Sequence, residues 1–293
     1  MGKRLLLFIG TNLAVITTIS IVASFLGIGS YVGADGQVLY TTLAAWCLLW
    51  GMGGALISLA ISRWVAKRAY GIQLVDGQTG HPALDRVYQT VARLAEAEGL
   101  PMPEVGFYDS KEANAFATGP TRARSLVAVS SGLLQRLDNE AVDAVLAHEV
   151  AHIANGDMVT MTLVQGVVNA FVMFFSRLVA FAVRQMVDSR IAWLVELAVV
   201  IVAQIAFGLL GSLVTAAFSR AREFRADAGA ARLTSPSAMV RALEQLRSVV
   251  DIADDRSPAM QSFKISSPNR ALALLSTHPP LEDRIAALQN SGR

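Results

Sequence analysis

The segment His148-Glu149-Val150-Ala151-His152 sets two imidazoles four positions apart, with a carboxylate beside the first. On a helix, positions i and i+4 share a face, so His148 and His152 can reach one metal ion together. Glu149 sits about 100° round the helix, within reach of water beside that ion. Zinc held there would polarise a scissile carbonyl and lower the pKa of its water toward about 7. Glu149 would take the water proton and pass it to the leaving amine. The chain has four histidines in all, and composition alone yields roughly 0.002 expected matches to HExxH. A chance pair of surface histidines does not explain it.

A catalytic zinc usually has three protein ligands and keeps its fourth position for water. The other histidines are His81 and His278. His81 precedes a proline at the start of an amphipathic helix and reads as an interfacial residue without a metal role. His278, followed by two prolines, reads equally as a turn residue before a helix. The other candidate is a carboxylate. In Ser219-Arg220-Ala221-Arg222-Glu223-Phe224-Arg225-Ala226-Asp227, Glu223 and Asp227 are again i and i+4. Glu223 would ligate, and Asp227 would accept a hydrogen bond from a ligand histidine. On its own such a pair is an ordinary charged helix surface. Beside an HExxH that lacks its third ligand, it becomes the candidate.

These residues need elements to hold them. Asp138 or Asn139 caps the motif helix, Val142, Leu146, Val150 and Ile153 form its apolar face, and Gly156 stops it. Upstream, Leu84, Val87, Val91 and Leu94 recur at helical spacing from Pro82 to Glu98, and Gly99 and Pro101 end that helix. Glu104–Tyr108 reads as a strand, Ala115–Thr118 as a short extended piece, and Ser125–Val129 as a further strand. Helices are expected around Pro236–Val249 and Pro280–Gln289. The polar Asp251–Asn269 segment between them, with Ser-Pro twice, reads as a surface loop.

The chain is 53% hydrophobic and 16% charged, and charge is well below that of a soluble domain. Four runs suffice for a bilayer, which takes about 20 apolar residues as helix: about Leu5–Ile28, Leu39–Ile61, Met158–Val183 and Ile191–Phe218. Arg177 and Glu196 are the charged exceptions. The first run is too long for a signal-peptide core and reads as an uncleaved anchor. Buried core helices of a soluble domain are the rival reading of the third and fourth runs, and the almost unbroken fourth run argues against it. Lys3 and Arg4 before the first run, and Arg63, Lys67 and Arg68 after the second, place both ends of that hairpin in the cytoplasm. Asp35 lies in the intervening loop, which has no basic residue. Arg220, Arg222 and Arg225 continue the pattern after the fourth run, although Arg184 and Arg190 weaken it locally.

The expected architecture is a mainly α integral membrane protein. It has four transmembrane helices and a zincin-like α+β cytoplasmic catalytic domain with a small sheet. Residues 1–69 and 158–218 form transmembrane hairpins, 70–157 carry the HExxH helix, and 219–293 complete the active site. His152 precedes the third run by a few residues, and Glu223 follows the fourth by about five, or roughly 8 Å of helix. The metal is therefore expected near the cytoplasmic membrane surface. The net charge of +2 argues against a nucleic-acid partner, and a single cysteine, Cys47, excludes an internal disulfide framework.

Over essentially its whole length the chain resembles the HtpX-type bacterial heat-shock membrane proteases and, more distantly, the eukaryotic CaaX prenyl endopeptidases. The likeness lies in the basic N-terminus, the two hairpins, HEVAHIANGD, SRAREFRAD and THPPLEDRI. It implies one zinc ion per chain on His148, His152 and Glu223, with Glu149 as catalytic acid/base and Asp227 in support. It implies that His278 and Arg284 contact the substrate carbonyl or oxyanion. It implies that Asn114-Ala115-Phe116 is an edge strand pairing with substrate backbone, a largely sequence-independent contact. The expected activity is an endopeptidase acting on misfolded or damaged membrane proteins under stress, at the cytoplasmic face of the bacterial inner membrane. A dedicated processing peptidase for a specific or lipid-modified substrate is the alternative. A non-enzymatic scaffold with a vestigial metal site is disfavoured, because a structural site would not require Glu149.

Overall fold

A computed structural model describes residues 2–28, 31–33, 37–255 and 278–291. The loop position Asp35 and most of the expected Asp251–Asn269 loop lie outside the described residues. Two compact units emerge. One comprises Met1–Ser58 with Thr160–Thr215, the other Leu59–Val159 with Ala216–Arg293.

The first unit is built from apolar helices. Among the described residues, three helices are long and apolar enough to cross a membrane: α2 (Tyr40–Tyr70), α6 (Asp157–Arg184) and α7 (Ala192–Leu233). Their lipid-type side chains are largely exposed, as a bilayer solvent requires. The first expected run, about Leu5–Ile28, corresponds to α1 (Gly2–Phe25), which carries the apolar stretch Ile9–Phe25. Small residues bring α2 and α6 close: a Cβ at Gly51 would lie 2.8 Å from the Gly166 carbonyl oxygen. Both charged exceptions find partners. Arg177 lies 4.2 Å above the Trp46 ring, a cation–π contact, and Glu196 pairs with Arg184 at 2.7 Å across the loop between α6 and α7.

The second unit is a small α+β body. Its sheet runs β1 (Gln73–Val75), β2 (Glu104–Tyr108), β4 (Arg124–Ser130), β3 (Ala115–Thr121) in spatial order. The pairs β1–β2 and β3–β4 are antiparallel and β2–β4 is parallel. Strand β1 is too short, at three residues, to announce itself by alternation. Helix α3 (Pro82–Ala97) starts with proline at its first turn and buries Val87, Val91 and Leu94. Helix α5 (Asn139–Asn155) is buried on nearly every side, between the sheet and α3 on one hand and α8 (Pro236–Asp255) on the other. Helix α8 runs six residues beyond the expected Val249, so the first part of the expected loop is helical. Helix α9 (Leu281–Ser291) adds Ile285 and Leu288 to the core.

Ser130 joins several of these parts. It is fully buried at the end of β4 and caps the short helix α4 (Ser131–Arg136). Its hydroxyl donates to the Glu112 carbonyl at 2.7 Å and accepts from the backbone N–H groups of Asn114 and Leu133, both at 3.0 Å. Ser130→Ala leaves the buried Leu133 N–H without its partner, at a cost of about 1–3 kcal/mol, and also releases the Asn114 N–H. We expect a lowered thermal unfolding midpoint in detergent and faster amide exchange at Asn114.

Candidate metal centre

Helix α5 presents His148, Glu149 and His152. Asp138 caps its start by accepting from the Ala141 N–H, and Gly156 closes its end with φ +69, a left-handed conformation that suits glycine. The C-terminal part of α7 brings Glu223 and Asp227. Its approach depends on Gly229, where a Cβ would lie 2.7 Å from the Ala151 side chain on α5. Helix α9 supplies Arg284, and His278 precedes it.

Ligating atoms of His148, His152 and Glu223 lie within 4.8 Å of one another. The two Nε2 atoms are 3.1 Å apart. Glu223 is 2% exposed. Its Oε2 lies 3.5 Å from His148 Nε2 and its Oε1 lies 3.4 Å from His152 Nε2. Oε1 is buried without a hydrogen-bond partner among the described residues. Each ring has a carboxylate beside its other nitrogen: His152 Nδ1 is hydrogen-bonded to Asp157 Oδ2 at 2.7 Å, and His148 Nδ1 lies 2.9 Å from Asp227 Oδ1 without the alignment of a hydrogen bond. An Nδ1–H donated to a carboxylate, as at His152, leaves the Nε2 lone pair free to ligate. The two Nε2 atoms face each other beside a buried carboxylate. Ligands about 2.0–2.2 Å from a tetrahedral ion lie roughly 3.3 Å apart, so these residues fit a zinc-sized cation.

Asp157 was not anticipated. The signal was present in HEVAHIANGD, where an aspartate follows the glycine that ends the motif helix, and the i+5 spacing from His152 hid it. It is 1% exposed, and Arg225 lies 3.2 Å from its other oxygen. Asp227 sits where expected, but it also takes a two-pronged contact from the buried Arg284, with Nε and Nη2 at 2.7 and 2.5 Å. Arg284 is thus directed chiefly at Asp227, with Nη1 3.6 Å from Glu223. His278 is largely exposed, and its Nδ1 lies 3.1 Å from Glu223 Oε2.

A cavity of about 220 Å³ opens onto this cluster. His148, Glu149, Glu223, His278 and Arg284 line it together with Asn114 and Ala115. Apolar Leu133, Val145, Met239, Leu243 and Leu246 complete it. Phe116 is not part of its lining; its ring packs against Tyr70 and Tyr108 instead. The edge strand therefore brings two of its three expected residues to the site.

Electrostatics follow from burial. Desolvation alone would raise the Glu223 carboxyl, yet polar contacts with His148, His152 and His278 outweigh it and hold the group far below the usual carboxylate range. Burial likewise disfavours a charged His152, but Asp157 and Glu223 outweigh it and push the imidazole up to about 9. His148 is raised for the same reason by Asp227 and Glu223. Without a metal, protons supply the positive charge that the carboxylates demand.

A buried three-ligand cluster with a further carboxylate at its mouth, carried by a chain with three helices of membrane-crossing length, defines a membrane metalloprotease. The peptidase family M48 profile matches residues 83–291, and the chain belongs to that family. The chain is 48% identical to a protease HtpX homolog of Bacillus licheniformis over 99% of both chains. It is 47% identical to protease HtpX of Shewanella sp. strain MR-4, covering 98% of this chain and 99% of that one. Among solved structures it resembles S. mikatae Ste24p, with a TM-score of 0.67 at 16% identity, over 98% of this chain and 67% of that one. At that identity the likeness is one of fold.

Two outcomes follow for metal binding. Asp157→Asn weakens the acceptor that orients His152, and we expect a loss of about 10–100-fold in metal affinity, read by competition with a chromogenic chelator. Ligation needs both imidazoles deprotonated, whereas the metal-free site holds His152 protonated below about 9. Metal binding at pH 7 should therefore release protons, and affinity should rise from pH 6 to 9. Calorimetry in buffers of different ionisation enthalpy measures that release.

Proposed function

We propose that this chain is a zinc-dependent endopeptidase that cleaves misfolded or damaged membrane proteins at the cytoplasmic face of the bacterial inner membrane. One zinc ion would be held by His148, His152 and Glu223. The observation that carries this reading is the meeting of those three residues, with His148, Glu223, Glu149 and Ala115 at the start of β3 lining one cavity.

Zinc, when bound, acts as a Lewis acid toward the scissile carbonyl and acidifies water at its open position. Glu149 is half-buried at the cavity wall and not committed to the ligand cluster, so its carboxylate is free to accept the proton of the attacking water. It then delivers that proton to the departing amine nitrogen as the C–N bond breaks. His278 and Arg284 line the same cavity and would donate toward the carbonyl oxygen as it gains charge. Arg284 is fixed for this by its two-pronged hold on Asp227. Among the described residues strand β3 pairs with β4 on one side only, so its other edge can take an extended peptide as an added strand. That mode reads backbone rather than sequence, which suits many damaged substrates over one dedicated substrate. The basic residues flanking the first hairpin support a cytoplasmic location for residues 70–157, with residues 1–69 and 158–218 read as the membrane hairpins.

Purified protein should cut several unrelated denatured substrates, and a chelator should abolish cutting. Cleavage confined to one lipid-modified substrate would favour the dedicated processing peptidase instead. Glu149→Gln removes the proton acceptor but no ligand, so turnover should fall by about 10²–10⁴-fold or more while zinc remains bound. Near-normal turnover would remove Glu149 from its role.

A further inference from the structure

Strand β3 has the sequence Ala115-Phe-Ala-Thr-Gly-Pro-Thr121 and, among the described residues, a single sheet neighbour, β4. Its register with β4 is interrupted between Thr118 and Thr121. One-sided pairing leaves an edge strand weakly held, so its side chains must do the rest. Ala115 and Ala117 pack inward on the core. Phe116, opposite in the pleat, is the one large side chain of the strand and sits on the outer face of the sheet.

The end of α2 meets that face. Arg63, Lys67 and Tyr70 follow one another at i, i+4 and i+7 and so share a stripe. Arg63 and Lys67 both pair with Glu104, the first residue of β2, at 3.3 and 3.0 Å. The Tyr70 ring lies 5.3 Å from both Tyr108 and Phe116, and those two rings lie 5.9 Å apart. The helix then closes at Gly71, with φ +62, and the Ile72 N–H reaches back to the Lys67 carbonyl at 3.0 Å. That closure lays Ile72 over Gly106 of β2, where an added Cβ would lie 2.3 Å from Ile72 Cγ2.

We propose that the last turn of α2, through Tyr70, holds the substrate-binding edge of β3 in place and so sets peptide affinity. The proposal rests on β3 being the strand that pairs with substrate. Tyr70 is 45% exposed, so its removal opens no core cavity, and the loss falls on the strand that leans against it. Tyr70 is a positioning residue that acts through Phe116.

The test uses full-length protein in detergent and a dye-labelled casein peptide. Tyr70→Ala should raise KM about three- to tenfold, the size of one lost aromatic contact, with kcat and zinc content near wild type. Tyr70→Phe keeps the ring and should restore KM. The proposal is overturned if Tyr70→Ala leaves KM within about twofold of wild type, or lowers only kcat and the unfolding midpoint. Peptide binding to Glu149→Gln, with and without Tyr70→Ala, is read by fluorescence anisotropy. Absence of chelator-sensitive cleavage by the wild type would sink the endopeptidase reading, and the anisotropy comparison would still decide the role of α2.

Discussion

A carboxylate taken out of water must be compensated, and Glu223 is the group on which that demand falls hardest. Its solvation loss is worth several kcal/mol. The surrounding charges are nearly matched in pairs: Asp157 with Arg225, and Asp227 with Arg284. Glu223 is left facing three imidazoles, those of His148, His152 and His278, and its Oε1 has no hydrogen-bond partner among the described residues. The cluster is therefore satisfied by protons on the histidines or by a cation between them. That choice ties metal binding to pH and makes the site reject a plain apolar substitute.

The same demand explains the supporting architecture. Two aspartates, one from the start of α6 and one from α7, lie against the Nδ1 atoms, with both Nε2 atoms facing inward. Without them each ring could turn or change tautomer, and the ligand geometry would be lost. Helix α5 is capped at both ends and buried along its length, so its two histidines move as one rigid body. Gly229 lets α7 close on Ala151, and that approach places Glu223 within ligand distance.

On the substrate side, the cavity wall joins a rigid element to a weakly held one. The helix α5 side is fixed by core packing, whereas β3 depends on one neighbouring strand, the Ser130 hydrogen bonds near its start and an aromatic contact with α2. A strand that accepts varied backbones needs an accessible edge, and an accessible edge is intrinsically mobile. External bracing reconciles the two.

HExxH, the Glu223/Asp227 spacing and the apolar runs were readable from residue order, because each is a helical period or a length. So were the α3 stripe, the caps of α5 and the strand Glu104–Tyr108. Position in sequence could not show that Asp157 turns back to His152, since the contact depends on the left-handed turn at Gly156. Nor could it show that Arg284 is directed chiefly at Asp227, or that Phe116 leaves the cavity for Tyr70. Strand β1 was invisible because three residues carry no period and its pairing is wholly tertiary. Which chemistry is available can be read from residue order, because ligand types and helical spacing are local. Which carboxylate lies against which ring cannot, because that depends on the close approach of helices distant in the chain.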